Sequence, residues 1–259
     1  MRFEQVAALF AAGIFAGFLL TAEIGRHLGR ARIAKHPSGL PTGVSAAEAG
    51  AFAVIGLVLA FAFSGAATRF EGRRHLITNE INAIGTAYLR LDLLPAEARL
   101  KLQPQFRDYV DVRRSMYRHA DQPEFGAAAW QRTVAMQQSL WRDAVQATRL
   151  PGVSPQATTL LLSAINEMID ISAERTLATM NHPPRIVFIL LAGLCLAGGL
   201  LTGYGSAANA SRSWFHAITL ASVLSLTCFV VMDLEYPRLG WFRVDTADLA
   251  FDELRKSMR

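Results

Sequence analysis

The sequence is short of most of what a secreted domain or a metal-dependent enzyme is built from. Two cysteines in 259 residues are too few for a disulfide framework, and both fall inside apolar runs, which suits packing rather than metal ligation. They are Cys195 and Cys228. The six histidines are scattered singly, most of them beside charges or prolines. There is no HExxH or CxxC, no glycine-rich loop ending in Gly-Lys-Ser/Thr, and no Gly-x-Ser-x-Gly elbow. With these absent, no enzyme chemistry, metal or cofactor is expected.

Charge is scarce as well. Only 18% of residues are charged while 52% are hydrophobic, and the mean hydropathy is positive, a balance that soluble domains of this length seldom show. Four runs account for it: 6–22, 49–67, 186–204 and 214–232, each 17 to 19 residues long without Asp, Glu, Lys or Arg. A 19-residue helix at about 1.5 Å per residue covers roughly 28 Å, close to the hydrocarbon thickness of a bilayer. Buried core helices need only about 10 to 14 such residues. Four membrane spans are the expectation. None contains a carboxylate that would suggest proton or cation coupling. The first run lacks a strongly basic leader and is followed by the charged "EIGRHLGRARIAKH", so it is expected to stay as an anchor and not to be cleaved.

Between the two pairs of spans, residues 68–184 carry 14 Lys or Arg and 12 Asp or Glu. Charges so nearly balanced make a water-facing region, not a nucleic-acid surface. Its periodicity is helical. Phe106, Tyr109 and Val110 form one stripe, Trp130, Val134, Trp141 and Val145 a second, and Leu161, Ile165, Met168, Ile169 and Ser172 a third. They read as helix–helix core. Breaks are expected at Leu94-Pro95, "HADQPEFG", "RLPGVSP" and "NHPP". Ser154 before Pro155 makes a helix start, with a hydroxyl cap and then a ring where no amide bond is lost. The chain is therefore expected to be all-α. Its divisions are 1–67 (spans one and two with their loop), 68–184 (helical water-facing domain), 185–232 (spans three and four) and 233–259 (tail).

Glycines in two spans sit four apart: Gly13 with Gly17, and Gly199 with Gly203. Such pairs let backbones approach in lipid. Spacing alone leaves open whether the partner helix belongs to the same subunit or to another.

The stretch "LAFAFSGAATRFEGRRHLITNEINAIGTAYLRLD" passes from uncharged to charged with no Gly-Pro turn. It resembles the second transmembrane helix of bestrophins, in which a Leu-Gly-Phe run leads through small residues to an arginine-aromatic pair and a further basic residue. Leu59, Ala60 and Phe61, then Ser64, Arg69 with Phe70, and Arg74 carry the likeness. The stretch "DLEYPRLGWFRVDTADLAFDEL" resembles the bestrophin segment after the fourth span, through Glu235, Pro237, Gly240, Asp248, Leu249 and Leu254. "NEINAIGTAYLRLDLLP" is similar to bacterial bestrophin-like proteins. Ala62 and Ala67 depart from the bacterial pattern, and no acidic run like the calcium clasp of animal bestrophins follows the fourth span, so calcium gating is not implied.

The resemblance implies a homo-oligomeric, pentameric ion channel in the lipid bilayer, conducting chloride or similar inorganic anions along the second helix. That helix would run on into the cytosolic bundle, which answers why it changes character without a break. The bestrophin neck lies eight, twelve and sixteen positions before the arginine, implying Phe61, Leu57 and Ala53 as the constriction. Arg69, Arg73 and Arg74 would concentrate anions at the boundary; ordinary ion pairing with Glu71 is the alternative. The resemblance places the helical domain in the cytoplasm and the spans in a cell membrane, that of a bacterial inner membrane. Arg26, Arg30, Arg32 and Lys35 in a short loop favour the opposite orientation. A non-conducting membrane sensor or scaffold, whose helical domain binds a ligand or protein, is the alternative function.

Overall fold

The computed structural model describes residues 3–36, 39–118, 123–209, 211, 213–236, 240–241 and 246–258. Among them there is no strand. The helices are α1 (Phe3–Lys35), α2 (Val44–Leu89), α3 (Ala96–Arg118), α4 (Pro123–Ala147), α5 (Pro155–Met180), α6 (Arg185–Gly205), α7 (Trp214–Leu234) and α8 (Thr246–Ser257), with short 3-10 turns at Arg90–Leu93 and Ser206–Ala208. The chain is all-α, and α1, α2, α6 and α7 hold the four apolar runs. Breaks fall at Leu94-Pro95, after Ala147 and at 181–184 as the proline positions require. Residues 119–122 of "HADQPEFG" lie outside the described residues, as does Pro237 of the tail, and the side chain of Asp248 is not described. Ser154 caps α5: its Oγ accepts the Ala157 amide at 3.1 Å, with Pro155 next.

The chain divides into two compact units, Met1–Phe70 with His182–Phe242, and Glu71–Asn181 with Arg243–Arg259. In the first, Ile14, Phe18, Ile55, Leu59, Leu191, Cys195, Leu224 and Cys228 pack together from four helices. The two thiols are free, their sulfurs 4.0 Å apart. Helix α1 lies closely along α6. A Cβ on Gly25 would overlap the Leu200 carbonyl, and one on Gly203 the Ala22 carbonyl; one on Gly199 would overlap the Phe18 carbonyl and the Thr21 hydroxyl. A Cβ on Gly17 would come within 2.6 Å of Leu196 Cδ2, whereas Gly13 faces open space. Three of the four singled-out glycines thus sit at a contact within the subunit. Gly25 and Gly29 complete that seam, and they escape a search of the apolar runs because they stand in the charged "EIGRHLGR".

In the second unit, Leu102, Phe106, Tyr109 and Val110 of α3 face Leu140 and Ala144 of α4 and Leu161, Ile165 and Met168 of α5, all buried. The α4 stripe differs from the expectation by one register. Trp141 is exposed, and Ala129, Thr133, Gln137, Leu140, Ala144 and Ala147 are buried instead. Small residues let α4 approach its neighbours, so the tryptophans flank the seam where there is room for them. Gln137 donates to Tyr109 Oη at 3.1 Å and to Ser172 Oγ at 2.6 Å, so the buried polar atoms are satisfied. At its centre, buried Glu80 accepts from Arg113 and Arg175. Burial alone would raise the Glu80 carboxyl, but the two guanidinium groups outweigh it and hold it below the usual carboxylate range. Burial pushes the Tyr109 phenol up. Helix α8 docks here, with Phe251 buried under Arg175 (5.6 Å from Cζ to the ring centre) and Arg114–Asp252 (2.8 Å) and Arg255–Asp111 (3.1 Å) on either side.

Candidate pore-lining helix

Helix α2 has 46 residues, so at about 1.5 Å each it extends about 69 Å, over twice a bilayer's hydrocarbon thickness of about 30 Å. Two stripes run its length at the 3.6-residue period. Ile55, Leu59, Ala66, Arg73, Ile77, Glu80, Ala83, Ile84 and Ala87 are buried. Across the helix, Ala53, Leu57, Phe61, Ser64, Thr68, His75, Asn79, Asn82 and Thr86 are exposed. A shared helical period, not a turn, carries the element from its apolar to its polar half.

The three constriction candidates lie together on the exposed stripe, Phe61 with 70% of its surface open and Leu57 with 56%. Both are more than half open in the subunit. The exposed faces of α1 and α7 carry Leu20, Ile24, Phe215 and Leu226, bulky groups that suit lipid. On α2, Gly56, Ala60 and Ser64 stand among Leu57 and Phe61 on the exposed side, as Ala12, Gly13 and Ala16 do on α1, and such small residues suit close approach of another backbone or water.

The three arginines do not form one surface. Arg69 turns to Glu235 just after α7, with Nε 2.9 Å from Oε1. Arg73 is buried and donates to the Ala178 and Asn181 carbonyls at 3.1 and 2.9 Å, satisfying the C-terminal end of α5. Arg74 is exposed and pairs with Glu71 at 3.0 Å. Arg69 and Arg73 were separable from a charged rim only by knowing their partners, which lie more than 100 residues away.

Those partners also explain the tail motif. Asp233 is fully buried and accepts the Trp241 amide at 2.9 and 3.0 Å through its two oxygens. A Cβ on Gly240 would overlap that carboxylate, so any larger residue would have to displace Asp233. Glu235 beside it holds Arg69 and lies 3.9 Å from His182 Nδ1, whose ring stacks on Tyr236 at 4.4 Å. The acid–x–acid spacing of "DLE" was the available signal for two buried carboxylates. Among the described residues, no three His, Cys, Asp or Glu side chains gather as a metal ion would need.

The Bestrophin-like domain pattern matches residues 16–249. The chain belongs to the bestrophin-like family. Solved structures with the same fold include a bacterial bestrophin homologue from Klebsiella pneumoniae carrying one isoleucine-to-threonine substitution. It is 15% identical, with a TM-score of 0.71 over 95% of this chain and 99% of that one. A further crystal structure of a bacterial bestrophin homologue from Klebsiella pneumoniae is 13% identical, with a TM-score of 0.70 over 95% of this chain and 96% of that one. No curated protein matches the sequence. The bestrophin-like fold therefore persists here over 95% of the chain at 13–15% identity, where few individual side chains are shared.

Proposed function

We propose that this bestrophin-like chain assembles into a homopentamer in a bacterial inner membrane and conducts chloride or similar anions along α2, with Phe61, Leu57 and Ala53 at the constriction. The observation that carries this reading is the exposed stripe on α2, apolar where the helix is apolar and lined by hydroxyls and amides beyond it. A ring of Phe61 and Leu57 side chains would narrow and dewet a pore, and the positive ring edges of Phe61 would face an anion. Ala53 is too small to narrow it much. The helical domain, residues 68–184, lies in the cytoplasm on this reading. A cysteine at Ser154, in a background lacking Cys195 and Cys228, is then protected from an impermeant thiol reagent on intact cells; labelling there reverses the orientation.

One observation favours the second reading, a non-conducting sensor or scaffold. Arg69 is ion-paired and Arg73 is buried, so the boundary carries less free positive charge than three arginines suggest. Liposome flux decides between them. Purified protein should release chloride faster than empty liposomes and faster than it passes potassium or sodium; flux at the empty-liposome level for every ion favours the sensor.

A further inference from the structure

In the membrane unit, a cavity of about 260 Å³ opens where α1, α6 and the start of α7 meet. Arg26 lines it and is 6% exposed. Its Nη2 donates to the Asn209 carbonyl at 3.0 Å, while its Nε is buried without a hydrogen-bond partner. No carboxylate among the described residues lies within ion-pair distance of this guanidinium. The nearest in sequence, Glu23 one turn earlier, lies at 3.1 Å from His27 Nε2. A buried cation without a counter-charge is costly, and an anion at the site removes that cost.

Two other features point the same way. The Thr202 hydroxyl, also in the cavity wall, is buried with no partner. Ser213 and Trp214 bring the cap and first residue of α7 to the wall, and Ser213 makes no side-chain cap bond. The first amides of that 21-residue helix therefore add positive potential next to the guanidinium. Leu19 and Ala22, on the α1 face that also carries Arg26, make part of the wall apolar.

We infer that this cavity binds a phosphate oxyanion, held by Arg26, the Thr202 hydroxyl and the start of α7. The group is either the phosphodiester of a membrane phospholipid or free inorganic phosphate. Arg26 follows the first apolar run by four residues, and Thr202 and Trp214 stand at the ends of the third and fourth, which sets the site at headgroup level. The apolar wall suits the glycerol and first methylenes of a lipid. Glu23, which also lines the cavity, disfavours a doubly charged ion and leaves a singly charged phosphodiester as the better fit. This site is independent of whether α2 conducts.

The test uses the full-length protein in detergent and two probes. Native mass spectrometry measures retained phospholipid, and its rebinding after delipidation with phosphatidylglycerol or phosphatidylethanolamine; thermal unfolding is followed against inorganic phosphate, with sodium chloride at equal ionic strength as control. Arg26→Gln should weaken binding of the active probe at least about tenfold, and Thr202→Val about fivefold, as the loss of charged and neutral hydrogen bonds implies. Saturable lipid binding that both substitutions weaken assigns the site to a headgroup, and phosphate stabilisation that both weaken assigns it to the free ion. Should Arg26→Gln fail to fold, Arg26→Lys and Thr202→Val carry the test. No saturable binding of either probe, or binding that Thr202→Val leaves at the parental level, overturns the inference.

Discussion

Arg69 and Glu235, 166 residues apart in sequence, meet with Nε 2.9 Å from Oε1, and the carboxylate has no solvent exposure. The pair joins the end of the apolar half of α2 to the residue that closes α7. Arg69→Met removes the main counter-charge of a buried carboxylate. The expected cost is about 3 kcal/mol, at the low end for broken buried pairs, because the Arg69 side chain is itself 32% exposed. Thermal unfolding in detergent should show a clear drop, and Glu235→Gln combined with Arg69→Met should recover part of it. Equal melting for parent and Arg69→Met would make the pair incidental.

The glycine seam gives a prediction that separates folding from assembly. Gly203→Ala places a methyl against the Ala22 carbonyl, so α1 and α6 must part and the yield of folded subunit should fall. A Cβ at Gly13 meets nothing within 4 Å, so Gly13→Leu starts into open space. It should leave subunit stability within about 0.5 kcal/mol and change only the oligomer profile on size exclusion, if another subunit packs there. A parental profile for Gly13→Leu would leave that glycine facing lipid.

How far the sequence could be read follows from where each signal sits. The four apolar runs and the Ser154-Pro155 start are local, and local signals place α1, α2, α5, α6 and α7. The α4 face is hidden in the sequence because large aromatics look like core, while the seam is made by Ala129, Thr133 and Ala144, whose value is their small size. The partners of Arg69 and Arg73 could not be read at all. An arginine at a membrane boundary has one composition whether it faces an ion path, caps α5 or holds Glu235, and only the returning chain distinguishes them.

Glu80 supplies a pH prediction. Its folded-state carboxyl is held below the usual range by Arg113 and Arg175 against burial. A depressed value contributes stability that is fully present above the unfolded carboxylate range, about pH 4.3 for Glu, and is lost as pH falls through the folded value. Melting temperature should therefore decline as the pH falls below about 4 to 5. Glu80→Gln strands two buried guanidinium groups and should cost about 3–5 kcal/mol at neutral pH. It should also flatten the acid slope. An acid slope as steep as the parent's would assign that loss of stability to other carboxylates.

The last prediction concerns the exposed stripe itself. Leu57 and Phe61 are more than half open in the subunit, so truncating both leaves no cavity there and should change subunit stability by about 0.5 kcal/mol or less. A loss of folded subunit would show that they pack within the chain after all. If they form the constriction, Phe61→Ala with Leu57→Ala widens and wets it, and chloride release from liposomes should rise well above the parental rate. Chloride should remain ahead of potassium, because the substitutions add no charge. Changing Leu20 and Leu226, exposed on α1 and α7, to alanine provides the control, since a lipid-facing pair should leave flux unchanged. A double mutant at 57 and 61 that folds and assembles like the parent yet stays at the empty-liposome rate would remove the conduction reading. The α2 stripe would then be a subunit-packing face, and the sensor or scaffold reading would stand.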